Sequence, residues 1–435
     1  MSATAVGLFG FLGLFSMMGL GLPVGAAMLV AGLVGSIALT GWTSAAYTLS
    51  GQAFSTASYY ELSVLPMFIL MGNLASASGL SRDLYEAAWR WIGHVRGGLA
   101  GATVVGCAGF AALSGSSIAS AVTMGQVAYP NMRRFGYGGR LSTGAIAAGG
   151  TLGILIPPST GFVLYAILTE QSIGRLFMAG VLPGLLLTGL FLLTVAIVVR
   201  LRPEEGPPGP SFTLREKLAA TFRATGIFAI IGLTIGGIYT GFFTPVEASG
   251  VGAFFAAIML VVRGKLSIAV LAEVLRETLR TTGMTFFILI GASVFAPFVA
   301  LSGLPGVVAE ALAGAGLGAY GTLFVILLLY AVLGMVIEGL SLLVITLPIV
   351  FPVIMALGFD PIWFGVIMVI VLEMGLISPP VGVNCFVVST IARDVPLETV
   401  FAGVMPFWGA MIVAIILLVA FPQIALVLPE AMFAR

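Results

Sequence analysis

Charge is what this sequence has least of. Only 8% of its 435 residues are charged while 60% are hydrophobic, and the mean hydropathy is +1.16. Soluble domains carry about a quarter charged residues, so a soluble protein is excluded and a polytopic protein of the lipid bilayer is implied. The formal net charge of +1 leaves no basic face for nucleic acid, and no nucleic-acid partner is expected. The single histidine, His94, has no partners spaced for a metal site. Cys107 and Cys385 sit in apolar runs without a C-x-x-C pair and read as small buried hydrophobes. No Lys or Arg precedes Arg82, so the basic start of a cleaved signal is missing and the first apolar run reads as a retained span. There is no Walker A pattern, which argues against ATP hydrolysis. No His–carboxylate, Cys–His or Ser–Lys pair is placed for chemistry, which argues against an enzyme.

What is present is a series of long apolar runs, each span needing roughly 20 residues. Spans are expected near 5–21, 24–40 and 61–80, with an uncharged polar connection from Gly41 to Tyr60. Ser81 to Arg96 reads as an interfacial amphipathic helix, with Leu84, Ala88 and Trp91 on one line and Arg82, Asp83, Glu86 and Arg90 off it. The apolar stretch from Gly97 to Tyr129 is too long for one span and short for two. Its flanks are both basic (Arg90 and Arg96; Arg133, Arg134 and Arg140), and SGSSIAS interrupts its centre. Positive charge marks the cytoplasmic side, so this stretch reads as a re-entrant hairpin with the serines at its tip.

A span over 141–168 follows, broken at Pro157–Pro158, and Leu176 to Val199 crosses back. PEEGPPGP lies in the one real linker, 201–224, read as an extended surface connection. It separates a first half, 1–200, from a second, 225–435. The second half offers spans near 225–242 and 246–262, a basic amphipathic piece over 263–280 and a span near 283–301. A Gly- and Ala-rich patch (304–320) and a second hairpin (323–357), interrupted by Glu338, Gly339 and Ser341, come next. A broken span (361–391) and a last span near 400–428 end it. With the N-terminus outside, every Lys and Arg except Arg175 and Arg435 falls on one side.

The halves are related. The shift that carries Pro157 and Pro158 onto Pro379 and Pro380 also carries Pro130 onto Pro352, Gly136 onto Gly358 and Gly153 onto Gly375. One residue later in register, Ala179–Pro183 (AGVLP) meets Ala402–Pro406 (AGVMP). An odd number of crossings separates equivalent positions, so the second half is inverted. The expected fold is an all-α polytopic membrane protein of about ten transmembrane helices plus two re-entrant hairpins in two inverted repeats. A proline inside a helix removes a backbone bond, and such breaks survive in lipid only where they line a cavity or are buried in protein. Paired broken helices therefore point to a secondary transport site at the midplane. Half-helix N-termini there suit an anion, and freed carbonyls and hydroxyls suit a hard cation.

The runs GGTLGILIPPSTGFVLYA, SIGRLFMAGVLPG and EMGLISPPVGVNCFV resemble the large membrane subunit of tripartite ATP-independent periplasmic (TRAP) transporters, over essentially the whole chain. That resemblance implies an elevator-type fold of the ion-transporter class, in which the hairpins and broken helices slide against a fixed scaffold. It implies sodium-driven uptake of an organic acid such as a C4-dicarboxylate, sialic acid, another sugar acid or a keto acid, across the bacterial inner membrane. It also implies two partners: a soluble periplasmic binding protein and a small four-helix membrane subunit, expected here as a separate chain. Carried over residue by residue, one sodium seat would use Ser114 and Ser117 with backbone oxygens of Gly153 and Ile156, beside Pro157. The other would use Gly334, Gly375, Ser378 and Val381; the family often has threonine where Ser378 stands, and the hydroxyl is kept. Substrate contacts are expected from Ser116, Ser159, Thr160, Glu338 and Asn384. The serines read alternatively as packing groups bonded to helix carbonyls. Glu247 and Glu373 read equally as functional intramembrane acids or as structural partners of hydroxyls or helix ends. A stand-alone sodium- or proton-coupled carboxylate symporter of similar inverted-repeat fold is the alternative.

Overall fold

The computed structural model describes residues 2–433, and the regular structure among them is entirely helical. Arg435, an expected exception to the charge asymmetry, lies outside the described residues. Two helices form the centre. Every residue from Leu141 to Leu155 of Gly139–Leu155 is buried, and so is every residue from Ile362 to Leu376 of Pro361–Leu376. Helices apolar on all sides belong inside a bundle, and these two are the leading segments of the two broken helices.

The other helices wrap them, and glycine sets how closely. A Cβ at Gly25 would stand 2.7 Å from the Phe287 carbonyl oxygen, and one at Gly291 would stand 2.4 Å from the Gly25 oxygen. Val24–Thr40 and Ile268–Leu301 thus touch backbone to backbone, the packing that small residues allow in lipid. Gly144 meets the Gly403 carbonyl in the same way, docking the first broken helix on the last long span, Leu397–Ala420.

Both halves run through the same element order, apart from Leu214–Arg223 before it and Gln423–Phe433 after it in the second. Two spans lead to a helix that turns into a third span; then come a short helix, a hairpin, a broken helix and a long span. The first hairpin is Gly98–Ser114 with Ser117–Arg134, and the second is Gly318–Gly334 with Gly339–Ala356. The broken helices are Gly139–Leu155 with Thr160–Thr169, and Pro361–Leu376 with Val383–Ile391. The Pro157–Pro158 and Pro379–Pro380 peptide bonds are both cis.

Three expectations are corrected. The connection from Gly41 to Tyr60 contains a helix, Trp42–Ala57, which exposes Trp42, Tyr47 and Phe54. The amphipathic piece over 263–280 and the span near 283–301 are one continuous helix, Ile268–Leu301, because the change in polarity marks depth rather than a helix end. The last span stops at Ala420, and a separate helix, Gln423–Phe433, follows. Among the described residues, seven helical segments are long and apolar enough to cross a bilayer, with the broken helix 139–169 counted as one. Ala3–Gly19, Val24–Thr40 and Thr225–Tyr239 fall short of that length by a turn or less, a mismatch that the bilayer absorbs at modest cost.

The linker is fastened rather than loose. The Gly97 amide donates to the Gly206 carbonyl at 2.9 Å, the Gly138 amide to that of Glu205 at 3.0 Å, and the Gly209 amide to that of Gly93 at 2.9 Å. A further expectation is corrected here: part of the stretch 201–224, read as an extended connection, is a helix, Leu214–Arg223, started by a capping box of Thr213 and Glu216. Trp91 donates to Thr221 at 2.9 Å, holding that helix on Leu80–Ile92, while Arg263 pairs with Asp83. The basic segments thus gather at one end of the bundle. Tyr59, Glu61, Glu170, Gln171 and Thr244 line a polar cavity elsewhere, formed by segments assigned to the opposite side.

Candidate functional site

The prolines act by what they lack. In a helix the carbonyl of residue i accepts from the amide of i+4, and Pro157 and Pro158 have no amide hydrogen to give to Gly153 and Ile154. The Ser159 hydroxyl takes over the Ile154 carbonyl. It also accepts the Phe162 amide at 3.2 Å, capping Thr160–Thr169. Gly153 keeps a carbonyl without its helical donor. Pro379 and Pro380 do the same to Gly375 and Leu376, although Ser378 returns an amide to the Gly375 carbonyl at 3.1 Å.

The first hairpin tip is pressed onto the first break. Gly115 has φ +58°, and a Cβ there would stand 2.9 Å from the Pro158 carbonyl oxygen, so only glycine fits both the turn and the contact. Thr160 donates its hydroxyl to the Gly115 carbonyl at 2.9 Å. A Cβ on Gly153 would stand 2.4 Å from the Ser116 carbonyl oxygen and 2.8 Å from the Ser117 amide nitrogen. Ser114, Ser116, Ser117, Gly153, Ser159 and Thr160 therefore come together as expected. Ile156 and Pro157 occupy the turn between the segments. Ser116 caps the second arm of the hairpin through the Ala119 amide at 3.4 Å, and Ser114 pairs with Ser120 at 2.8 Å.

The second seat is built on glycine as well. Gly334 packs on Gly375, where an added Cβ would lie 2.4 Å from the Gly334 carbonyl oxygen. Ser378 donates to the Met374 carbonyl at 2.6 Å and accepts the Trp408 indole N–H at 2.9 Å, so its hydroxyl hydrogen is already engaged. Val381 is 38% exposed on the turn before Gly382, which leaves only its carbonyl for any ligand role. Glu338 is the N-cap of Gly339–Ala356. Its carboxylate accepts the Leu340 and Ser341 amides at 3.0 and 2.9 Å and the Ser341 hydroxyl at 2.9 Å. Glu247 closes a capping box with Thr244, the structural one of the two roles left open for it.

Two buried polar residues of the second broken helix reach the first half at this centre. Asn384 is fully buried and donates to the Ala147 carbonyl of the other broken helix at 3.4 Å, while its Oδ1 has no partner. Glu373 is 2% exposed and accepts the Ser117 hydroxyl at 2.5 Å. Glu373 and Glu338 line one small cavity with Ile154, Gly161 and Gly339, so the second hairpin tip and both broken helices border one centre, which the first tip reaches through the Ser117–Glu373 bond. Helix N-termini (those beginning at Ser117, Thr160, Gly339 and Val383) and helix C-termini (those ending at Ser114, Leu155, Gly334 and Leu376) flank the two tips and the two breaks. The first set favours negative charge and the second positive charge.

A family model described as the tripartite ATP-independent periplasmic transporter, DctM component, matches residues 11–424. The chain belongs to that family. It is a multi-pass large permease component and not an enzyme. It is 39% identical to the C4-dicarboxylate TRAP transporter large permease protein DctM of Pseudomonas aeruginosa, over 88% of this chain and 89% of that one. Against the sialic acid TRAP transporter large permease protein SiaM of Vibrio cholerae the identity is 32%, over 97% of each chain. Among solved structures, the YdaH transporter of Alcanivorax borkumensis matches with a TM-score of 0.62 at 18% identity, covering 88% of this chain and 90% of that one. At that identity the likeness concerns the fold alone.

Proposed function

We propose that this permease couples the entry of sodium to the uptake of a small organic acid, with the hairpins and broken helices moving together as an elevator in the bacterial inner membrane. Its N-terminus lies on the periplasmic side. A separate four-helix membrane subunit and a soluble periplasmic binding protein complete the system, in keeping with the "large permease" of the relatives' names. The observation that carries the reading is Gly153, whose carbonyl is stripped of its helical donor and whose Cα face is pressed on the Ser116–Ser117 peptide of the serine tip. An orphaned buried carbonyl costs about 1–3 kcal/mol, which a sodium ion with oxygen ligands offsets.

In this reading, Ser114, Ser117, Ile156 and Gly153 supply oxygens at the first seat, and Gly334, Gly375, Ser378 and Val381 at the second. Capped helix N-termini at Ser116 and Ser159, with Thr160 and Asn384, face the carboxylate of the solute. Both relatives are named for acids, which supports a carboxylate without selecting one. Glu338, committed to its cap, shapes the centre rather than binding an anion.

The test is uptake into proteoliposomes of radiolabelled succinate, sialic acid and a panel of keto and sugar acids. The expected result is uptake only with the cognate binding protein, the small subunit and an inward sodium gradient. Uptake by this chain alone would instead establish the stand-alone symporter, and solute-independent conductance a channel.

A further inference from the structure

We infer that Glu373 is the positioning residue that ties the two cation seats together, so that filling one seat prepares the other. This rests on the sodium reading above. Glu373 precedes Gly375 by two residues on the second broken helix, and its carboxylate holds Ser117, a first-seat residue, at 2.5 Å. The bond therefore runs from the backbone of one seat to a hydroxyl of the other, across two halves of the chain. Both ends are rigid. Ser117 is 1% exposed and opens Ser117–Arg134, while Glu373 lies in a helical segment with no exposed residue. Among the described residues no Lys, Arg or His forms an ion pair with Glu373, and its carboxylate is held by the Ser117 hydroxyl. A buried carboxylate without a cationic partner is costly in a membrane and points to function.

The geometry constrains what the bond can transmit. The Ser117 amide lies against Gly153, and Gly375 lies against Gly334. Drawing the first tip onto its break fixes Ser117. Through Glu373 it also fixes the register of the second break against the second tip. Without the bond, each seat would order its own tip independently.

The experiment uses the purified full-length chain and two readouts: thermal stability in sodium chloride against choline chloride, and equilibrium binding of radioactive sodium. The wild type is expected to be stabilised by sodium, with a Hill coefficient above one. E373M and S117A should raise the half-saturating sodium concentration about tenfold (about 1.4 kcal/mol) and bring the Hill coefficient to one. E373Q keeps an acceptor for Ser117 and should stay within about threefold of wild type; an E373M/S117A double variant should be no worse than S117A, which already loses both the bond and a seat oxygen. A wild-type sodium curve for E373M overturns the inference, as does a loss in E373Q equal to that in E373M. Melting temperatures in choline check folding of each variant. Absence of any sodium-specific effect in the wild type is a different result: it removes the sodium reading itself and this inference with it.

Discussion

Replacing Gly153 with alanine is the most direct probe of the first seat. The added Cβ would stand 2.4 Å from the Ser116 carbonyl oxygen, where ordinary contact begins at 3.4 Å. The opposing atoms are backbone, so the hairpin tip has to retreat by about 1 Å, a displacement that can cost a binding site a hundredfold. Overpacking of this kind costs about 1–3 kcal/mol. If the strain is expressed at the sodium-bound tip, the half-saturating sodium concentration rises about 5- to 150-fold. Sodium-dependent uptake in proteoliposomes measures it, alongside the melting temperature in choline. Gly189→Ala is the control, since nothing lies within 4 Å of its Cβ and it sits inside the long helix Ile173–Leu201. It should leave uptake unchanged and stability equal or slightly raised. An unchanged sodium curve in G153A would refute the contact between tip and break.

Other substitutions test the frame. Gly144→Ala places a Cβ 2.3 Å from the Gly403 carbonyl oxygen and should lower stability by about 1–3 kcal/mol, seen as a reduced melting temperature in detergent. Asp394, in the loop after the second broken helix, accepts the Tyr129 hydroxyl and pairs with Arg133 at 2.7 Å. The Tyr129 bond foremost, and then Arg133, hold its carboxyl below the usual range. A depressed folded value means stability that is present above the unfolded value, about 3.9, and lost as pH falls through the folded one. The melting temperature of D394N should therefore fall less than that of the wild type on going from about pH 5 to pH 3.

The parts legible in the sequence are those that break a uniform background. Glycine, proline and serine stand out in an apolar run, and the hairpins and broken helices were expected within a few residues of their observed ends. Trp42–Ala57 gave no such signal, being uncharged, polar and without a clear apolar stripe. Ile268–Leu301 misled because charge reports depth in the membrane and says nothing of backbone continuity. Glu338 stands at the tip where it was expected, yet its carboxylate is spent on its own helix. Glutamate is outside the usual set of N-caps, so the local sequence did not declare that role. Glu373 could not be paired from sequence at all, because Ser117 lies 256 positions away.

The fastened linker bears on how the molecule can move. Its carbonyls hold the amides of Gly97 and Gly138, which immediately precede the first hairpin and the first broken helix. The two elements thus stand on a common footing, like two posts bolted to one plate. Separating their feet by even an ångström or two would strain or break those bonds. The cheaper displacement keeps them parallel and lets the plate travel with them, and Phe212, edge-on to Trp89 at 5.4 Å and under the Arg90 guanidinium, carries the same footing on to Leu80–Ile92.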